Sequence, residues 1–121
     1  MTKQSLVRFA FSLAFALAST AAFAHAQLQK AVPSVGGTVS SPSEIRLEFS
    51  EGVEPKFSGV TLKADGGAAE PLGAANVEAG DNKVLIVKVG KALAPGVYTV
   101  NWHAVSVDTH HTQGSFQFTV K

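Results

Sequence analysis

From Gln27 to the C-terminus the chain repeatedly alternates polar and apolar residues with a period of two, a pattern typical of β-strands that bury one face. The clearest example is the segment 44–49, in which Ile45, Leu47 and Phe49 alternate with charged residues. Strands are also predicted in five other segments, which alternate or are rich in β-branched residues: 27–32, 57–63, 83–89, 97–105 and 112–120.

Glycine and proline separate these segments, as in the turns 65–67 and 93–96. The stretch 68–80 consists mostly of small residues with a weak pattern, and a loop is predicted there. No stretch of useful length has helical periodicity. Six or seven short strands with turns between them indicate an all-β fold, an antiparallel sandwich.

The first residues have the pattern of an export signal rather than of a folded element. Lys3 and Arg8 precede the apolar run Phe9–Ala18, and Ala22–Ala24 supplies a small-x-small cleavage site. The apolar run is shorter than the roughly 20 residues that cross a bilayer. We therefore expect a signal peptide at 1–24, and a competing interpretation is an uncleaved anchor. Cleavage would make His25 the first residue.

Residues 25–121 are predicted to form one exported domain. The whole chain has a formal net charge of +1, and two of its cations lie in the leader. No basic run or stripe is present, so no nucleic-acid partner is expected. The chain has no cysteine, and its single methionine is Met1. A metal site in the mature protein would therefore need nitrogen and oxygen ligands.

Such ligands are available at both ends of the predicted domain. A histidine at a new N-terminus offers its α-amine and its imidazole Nδ1, which can chelate one ion. Near the other end, Asp108 and His110 would point to the same face if their stretch is extended. Three nitrogens and one oxygen suit the tetragonal geometry of Cu(II). Zn(II) accepts the same atoms but prefers a tetrahedron, so the ligands alone leave zinc open.

Five groups of residues, spread over nearly the whole of 25–121, form a specific combination: Ala24–Ala26, Pro33–Ser34, Ile45–Glu51, Pro95–Trp102, and Val105–His110 followed by Gly114–Phe116. In these groups the chain resembles the CopC family of periplasmic copper-resistance proteins. The resemblance implies a seven-stranded Greek-key β-sandwich of the cupredoxin-like or immunoglobulin-like type.

The resemblance also implies one Cu(II) per chain, bound by the amine and imidazole of His25 together with Asp108 and His110. It places Glu51 close to the N-terminal histidine, where its carboxylate would accept a hydrogen bond rather than bind the metal. The partner it implies is an inner-membrane copper importer of the CopD type.

The chain departs from the family at two positions and in one loop. Family members often have Arg where this chain has His103, and Pro where it has His111. We expect both histidines to be surface or structural residues. Some members carry a methionine-rich loop for Cu(I), but the corresponding stretch 64–80 has no methionine. No Cu(I) site is therefore expected.

The predicted function is sequestration or delivery of periplasmic copper, without catalysis, since no nucleophile–base pair or carboxylate dyad stands out. One alternative is a copper monooxygenase with a histidine chelate at its N-terminus, although one Trp and one Tyr make a poor aromatic substrate surface. Another is a metal-free, immunoglobulin-like interaction domain.

Overall fold

The computed structural model describes residues 25–121, and the predicted signal peptide lies outside them. Within these residues, eight strands form two stacked sheets, which confirms the all-β sandwich. The strands are β1 (Leu28–Val32), β2 (Thr38–Val39), β3 (Glu44–Phe49), β4 (Gly59–Ala64), β5 (Leu72–Glu78), β6 (Asp81–Val89), β7 (Gly96–Val105) and β8 (His111–Val120). A 3-10 turn, Pro55–Phe57, precedes β4. Within 25–121, no helix has the length and apolar character that crossing a membrane requires.

The first sheet has the strand order β1-β3-β6-β5, and the second has the order β2-β8-β7-β4. All neighbouring pairs are antiparallel except β2 and β8, which run parallel. The chain crosses between the sheets at most of its connections, and only β5–β6 and β7–β8 are hairpins of consecutive strands. The sandwich is thus assembled from contacts between distant parts of the sequence.

The core lies between the sheets and is lined by the alternating apolar residues of the central strands. Ile45 and Leu47 of β3 have no exposed surface, and neither has Val100 of β7. The edge of one aromatic ring meets the face of another across the two sheets, since Phe49 and Trp102 have ring centroids 5.2 Å apart. Full burial of each large side chain contributes about 1.5–3 kcal/mol. The period-two pattern therefore defines the buried faces correctly.

Two strands were not predicted, and both lie at sheet edges. The stretch 68–80, predicted as a loop, contains β5, so that prediction is wrong. Register shifts interrupt the pairing of β5 with β6 between Leu72 and Ala75 and again at Val77. Each shift breaks the period of two, and the small side chains bury little surface. The other, β2, has only two residues. The described residues therefore form eight strands where seven were expected.

One end of the sandwich brings the first described residues next to the loop between β7 and β8. β1 pairs antiparallel with β3, so residues 25–27 lie where β3 ends. β7 and β8 are paired over their whole length, from Gly96 with Val120 to Val105 with His111. A bridge between Val53 and Ser106 then joins the segment after β3 to the end of β7. The loop between β7 and β8 thereby lies beside the first described residues.

Candidate metal centre

The loop Ser106–His110 joins β7 to β8 and carries two of the predicted ligands. The Ser106 N–H donates to the carbonyl oxygen of His110 at 2.9 Å, and the Thr109 N–H donates to that of Ser106 at 2.7 Å. Thr109 has a φ of +75°, in the left-handed region that β-branched residues rarely adopt. The loop is thus a tight turn, and the extended conformation considered for Asp108 and His110 is wrong.

The turn nevertheless brings the two predicted ligands together. Asp108 Oδ1 lies 3.2 Å from His110 Nδ1, and the two side chains are 41% and 48% exposed. The hydroxyl of Ser106 donates a hydrogen bond to the same carboxylate oxygen. This bond, and next the one with His110, lower the pKa of Asp108, because a hydrogen bond to a carboxylate favours its charged form. Asp108 is therefore held in the ionised state in which it can bind a cation.

Three hydrogen bonds of 2.9 Å or less tie the segment 25–27 to the sandwich. The hydroxyl of Thr112 donates to the carbonyl oxygen of Ala26 at 2.8 Å. The Gln27 N–H donates to Ser50 Oγ at 2.9 Å, and the Ser50 N–H donates to the carbonyl oxygen of Gln27 at the same distance. The side chain of Ala26 is fully buried in the core. His25 therefore projects from a fixed point rather than from a loose end.

The segment 25–27 and the loop Ser106–His110 bring His25 and His110 together. Their ring centroids are 4.7 Å apart, with an angle of 48° between the ring planes. The structure thus places two imidazoles and one carboxylate next to one another. No three His, Cys, Asp or Glu side chains within 25–121 converge tightly enough to enclose an ion. Because the three side chains are exposed, they can rotate towards a shared ion, and their nitrogen and oxygen atoms suit Cu(II).

Glu51, expected near the N-terminal histidine, follows directly after β3 and Ser50. Ser50 Oγ is 3.4 Å from the carbonyl oxygen of His25, so Glu51 belongs to the segment that supports His25. Its side chain is partly exposed, and no hydrogen bond connects it to His25 within the described part of the chain. Support of the imidazole by Glu51 remains a prediction.

The other two histidines are exposed, as expected. His103 lies on the outer face of β7, and its ring covers Gly59 so closely that a Cβ there would be 2.9 Å from Cε1 of the ring. His111 begins β8 opposite Val105. The structure explains His103 by this packing against Gly59.

Three hydroxyl residues that support the site were missed as functional residues, namely Ser50, Ser106 and Thr112. The sequence contains one signal for them, the Ser-x-Asp-x-His spacing, in which the serine precedes the carboxylate by two residues. The contacts of Ser50 and Thr112 depend on residues distant in sequence and have no local signature.

Known proteins share this fold and much of this sequence. Residues 28–121 match the family model described as the CopC domain. The chain is 40% identical to Protein YobA of Escherichia coli strain K12, with 99% of this chain and 98% of the relative covered. It is 39% identical to Copper resistance protein C of Xanthomonas campestris pv. juglandis, with 98% and 97% covered.

A similar solved structure is that of PcoC from Escherichia coli, described as a methionine-rich copper resistance protein. It has a TM-score of 0.69 and 37% sequence identity, and the match covers 81% of this chain and all of that one. Sequence and fold therefore point to one class, the copper-resistance β-sandwiches. The chain belongs to the CopC family.

Proposed function

We propose that the protein binds one Cu(II) ion through the α-amine and imidazole of His25, the carboxylate of Asp108 and the imidazole of His110. The observation that carries this proposal is the 4.7 Å separation between the two histidine rings. Two imidazoles that are far apart in the sequence meet beside an ionised carboxylate. The α-amine becomes a ligand when cleavage after Ala24 frees it.

The oxidation state follows from the donor set. Nitrogen and oxygen ligands favour Cu(II), whereas Cu(I) prefers thiolates and thioethers. PcoC is described as methionine-rich, but the only methionine of this chain is Met1. We therefore assign the protein a Cu(II) site without a companion Cu(I) site.

The biological role we propose is sequestration of copper in the periplasm or its delivery to an inner-membrane importer, and not catalysis. The names of the relatives, which refer to copper resistance, support a role in copper handling. The exposure of Asp108 and His110 supports exchange of the ion with a partner, since exposed ligands can be replaced one at a time.

The decisive experiment compares two chains that differ by one residue, a protein starting at His25 and one starting at Ala24. Cu(II) affinity is measured by competition with a chelator, and electron paramagnetic resonance reports the number of nitrogen ligands. We expect the chain starting at His25 to bind one Cu(II) with a three-nitrogen spectrum. The chain starting at Ala24 should bind far more weakly, because its amine is displaced. Equal binding by both chains would exclude the N-terminal chelate.

A further inference from the structure

We propose that Ser106 is the positioning residue of this metal centre. Its buried hydroxyl holds the Asp108 carboxylate and the backbone of His110 together, so that both ligands are oriented before copper binds. This inference rests on the proposed copper site and extends it to a residue that does not touch the ion.

The first support is the burial of Ser106 and the partners of its hydroxyl. The residue has no exposed surface, although both of its partners are exposed. Its Oγ donates to Asp108 Oδ1 and accepts the N–H of His110 at 3.2 Å. One hydroxyl thus touches both of the residues that supply ligands from this loop. Because a buried polar group is costly to leave without a partner, this arrangement is retained whenever the loop is folded.

The second support is the backbone of the same loop. The backbone N–H of Ser106 donates to the carbonyl oxygen of His110 at 2.9 Å, so serine and histidine are joined twice. The turn between them requires Thr109 to adopt a φ of +75°. Unfavourable backbone conformations persist where surrounding contacts enforce them, and they cluster at functional sites. In this loop the bonds to Ser106 are those contacts, and the result is the proximity of Asp108 to His110.

A purely structural role would be to satisfy backbone groups at the end of β7, and Ser58 provides a matched control for it. Ser58 is also buried, with 8% exposure. Its Oγ accepts the N–H of Val105 at 3.0 Å, next to Ser106 in the chain. Its described hydrogen bonds include none with Asp108 or His110. Removing either hydroxyl should disturb the fold similarly, but only the loss at Ser106 should disturb the metal ligands.

The test compares Ser106→Ala, Ser106→Thr and Ser58→Ala, each starting at His25. Thermal melting of the metal-free proteins reports the fold, and amide hydrogen exchange reports the N–H of His110. Chelator competition gives the Cu(II) affinity, and electron paramagnetic resonance gives the geometry of the site. Loss of a residue that orients metal ligands typically weakens binding by about 10–100-fold.

We expect Ser106→Ala to weaken Cu(II) binding by about 10-fold or more, to alter the spectrum and to accelerate exchange of the His110 N–H. Ser106→Thr, which keeps the hydroxyl, should retain the wild-type spectrum. Ser58→Ala should melt at a lower temperature but bind copper normally. Adding Ser106→Ala to Asp108→Ala should weaken binding little further, because the serine acts partly through that carboxylate.

Three results would overturn the role of Ser106. The first is that Ser106→Ala keeps the wild-type Cu(II) affinity and spectrum. The second is that Ser106→Ala and Ser58→Ala lose equal Cu(II) affinity, and the third is that Ser106→Ala does not fold. The last two would make the residue structural. Failure of the wild-type protein to bind Cu(II) would instead refute the proposed function, so the two failures are distinguishable.

Discussion

The imidazoles of His25 and His110 lie against each other at 4.7 Å between ring centroids, although the two residues are far apart in the sequence. Neither residue is buried, so hydrophobic packing of the rings does not hold them there. Their neighbours in the chain set their positions. The side chain of Ala26, next to His25, is buried in the core, and a tight turn ends at His110. Two rigid supports therefore produce a contact between two exposed side chains.

Alanine substitution should weaken Cu(II) binding at the proposed ligands Asp108 and His110 but not at their neighbour His111. His110→Ala and Asp108→Ala each remove a donor, and loss of a ligand should weaken Cu(II) binding by at least the 10–100-fold typical of a supporting residue. His111→Ala should have little effect, because His111 begins β8 opposite Val105. Chelator competition with each variant checks this prediction. If His111→Ala alone strongly weakens Cu(II) binding, then the ligand is His111 and not His110.

The attachment of the N-terminal segment should matter for both stability and copper. Thr112→Val removes the hydroxyl that donates to the Ala26 carbonyl oxygen at 2.8 Å while keeping the side-chain shape. The loss of one hydrogen bond should lower the free energy of unfolding by about 1 kcal/mol. It should also weaken Cu(II) binding, because His25 is then less well positioned.

The control for this substitution is Thr99→Val. Thr99 of β7 accepts a hydrogen bond from Gln117 of β8 at 3.3 Å, and both residues lie far along these strands from the loop. Denaturant unfolding and copper competition should be measured for both variants. If Thr99→Val weakens copper binding as much as Thr112→Val, then general loosening of the sheet, and not the N-terminal attachment, accounts for the effect.

Copper binding should weaken as the pH falls, because protons compete with the metal for its ligand atoms. The pKa of Asp108 is lowered by the Ser106 hydroxyl and by His110, so this carboxylate should lose its charge only below the usual range of a carboxyl group. Competition titrations from pH 8 to 5 should show the loss. Binding that stays constant down to about pH 4 would contradict it.

The lowered pKa of Asp108 also predicts how the stability of the metal-free protein depends on pH. A carboxylate whose pKa is lower in the folded state stabilises the fold above its unfolded pKa, and this contribution is lost as the pH falls through the folded pKa. The contribution of Asp108 should therefore be fully present at neutral pH and disappear only in acid. Ser106→Ala removes the largest cause of the shift, so the contribution should be smaller and its loss should be complete at a higher pH, which melting curves between pH 6 and 3 can detect.

Thr109→Gly should stabilise the metal-free fold. Glycine adopts a positive φ without steric conflict, whereas a non-glycine residue there is destabilised by roughly 1–2 kcal/mol, partly offset by the greater flexibility of unfolded glycine. We expect a net gain of about 0.5–1 kcal/mol in the free energy of unfolding, measured in urea. A large loss of stability would mean that the Thr109 side chain makes a contact that outweighs its backbone strain.

Local sequence patterns were sufficient for the faces of the central strands. Ile45, Leu47 and Phe49 alternate with charged residues and are all buried, because period two in the sequence is also the period of a strand. The same logic failed for β5, where bulges interrupt the period. The edge strand β5 is held by backbone pairing with one neighbour, and it buries few side chains. Its sequence therefore lacks the alternation of polar and apolar residues that burial produces.

By itself the sequence determined the β-class of the fold, the buried faces of its main strands and the types of ligand atom available, because these follow from local periodicity and from composition. Only the tertiary structure decided that His25 meets His110, that Asp108 and His110 converge through a turn rather than along a strand, and that Ser106 lies beneath them. Those relationships depend on long-range strand pairing and on a positive φ at Thr109. Neither produces a periodic pattern in the amino-acid sequence.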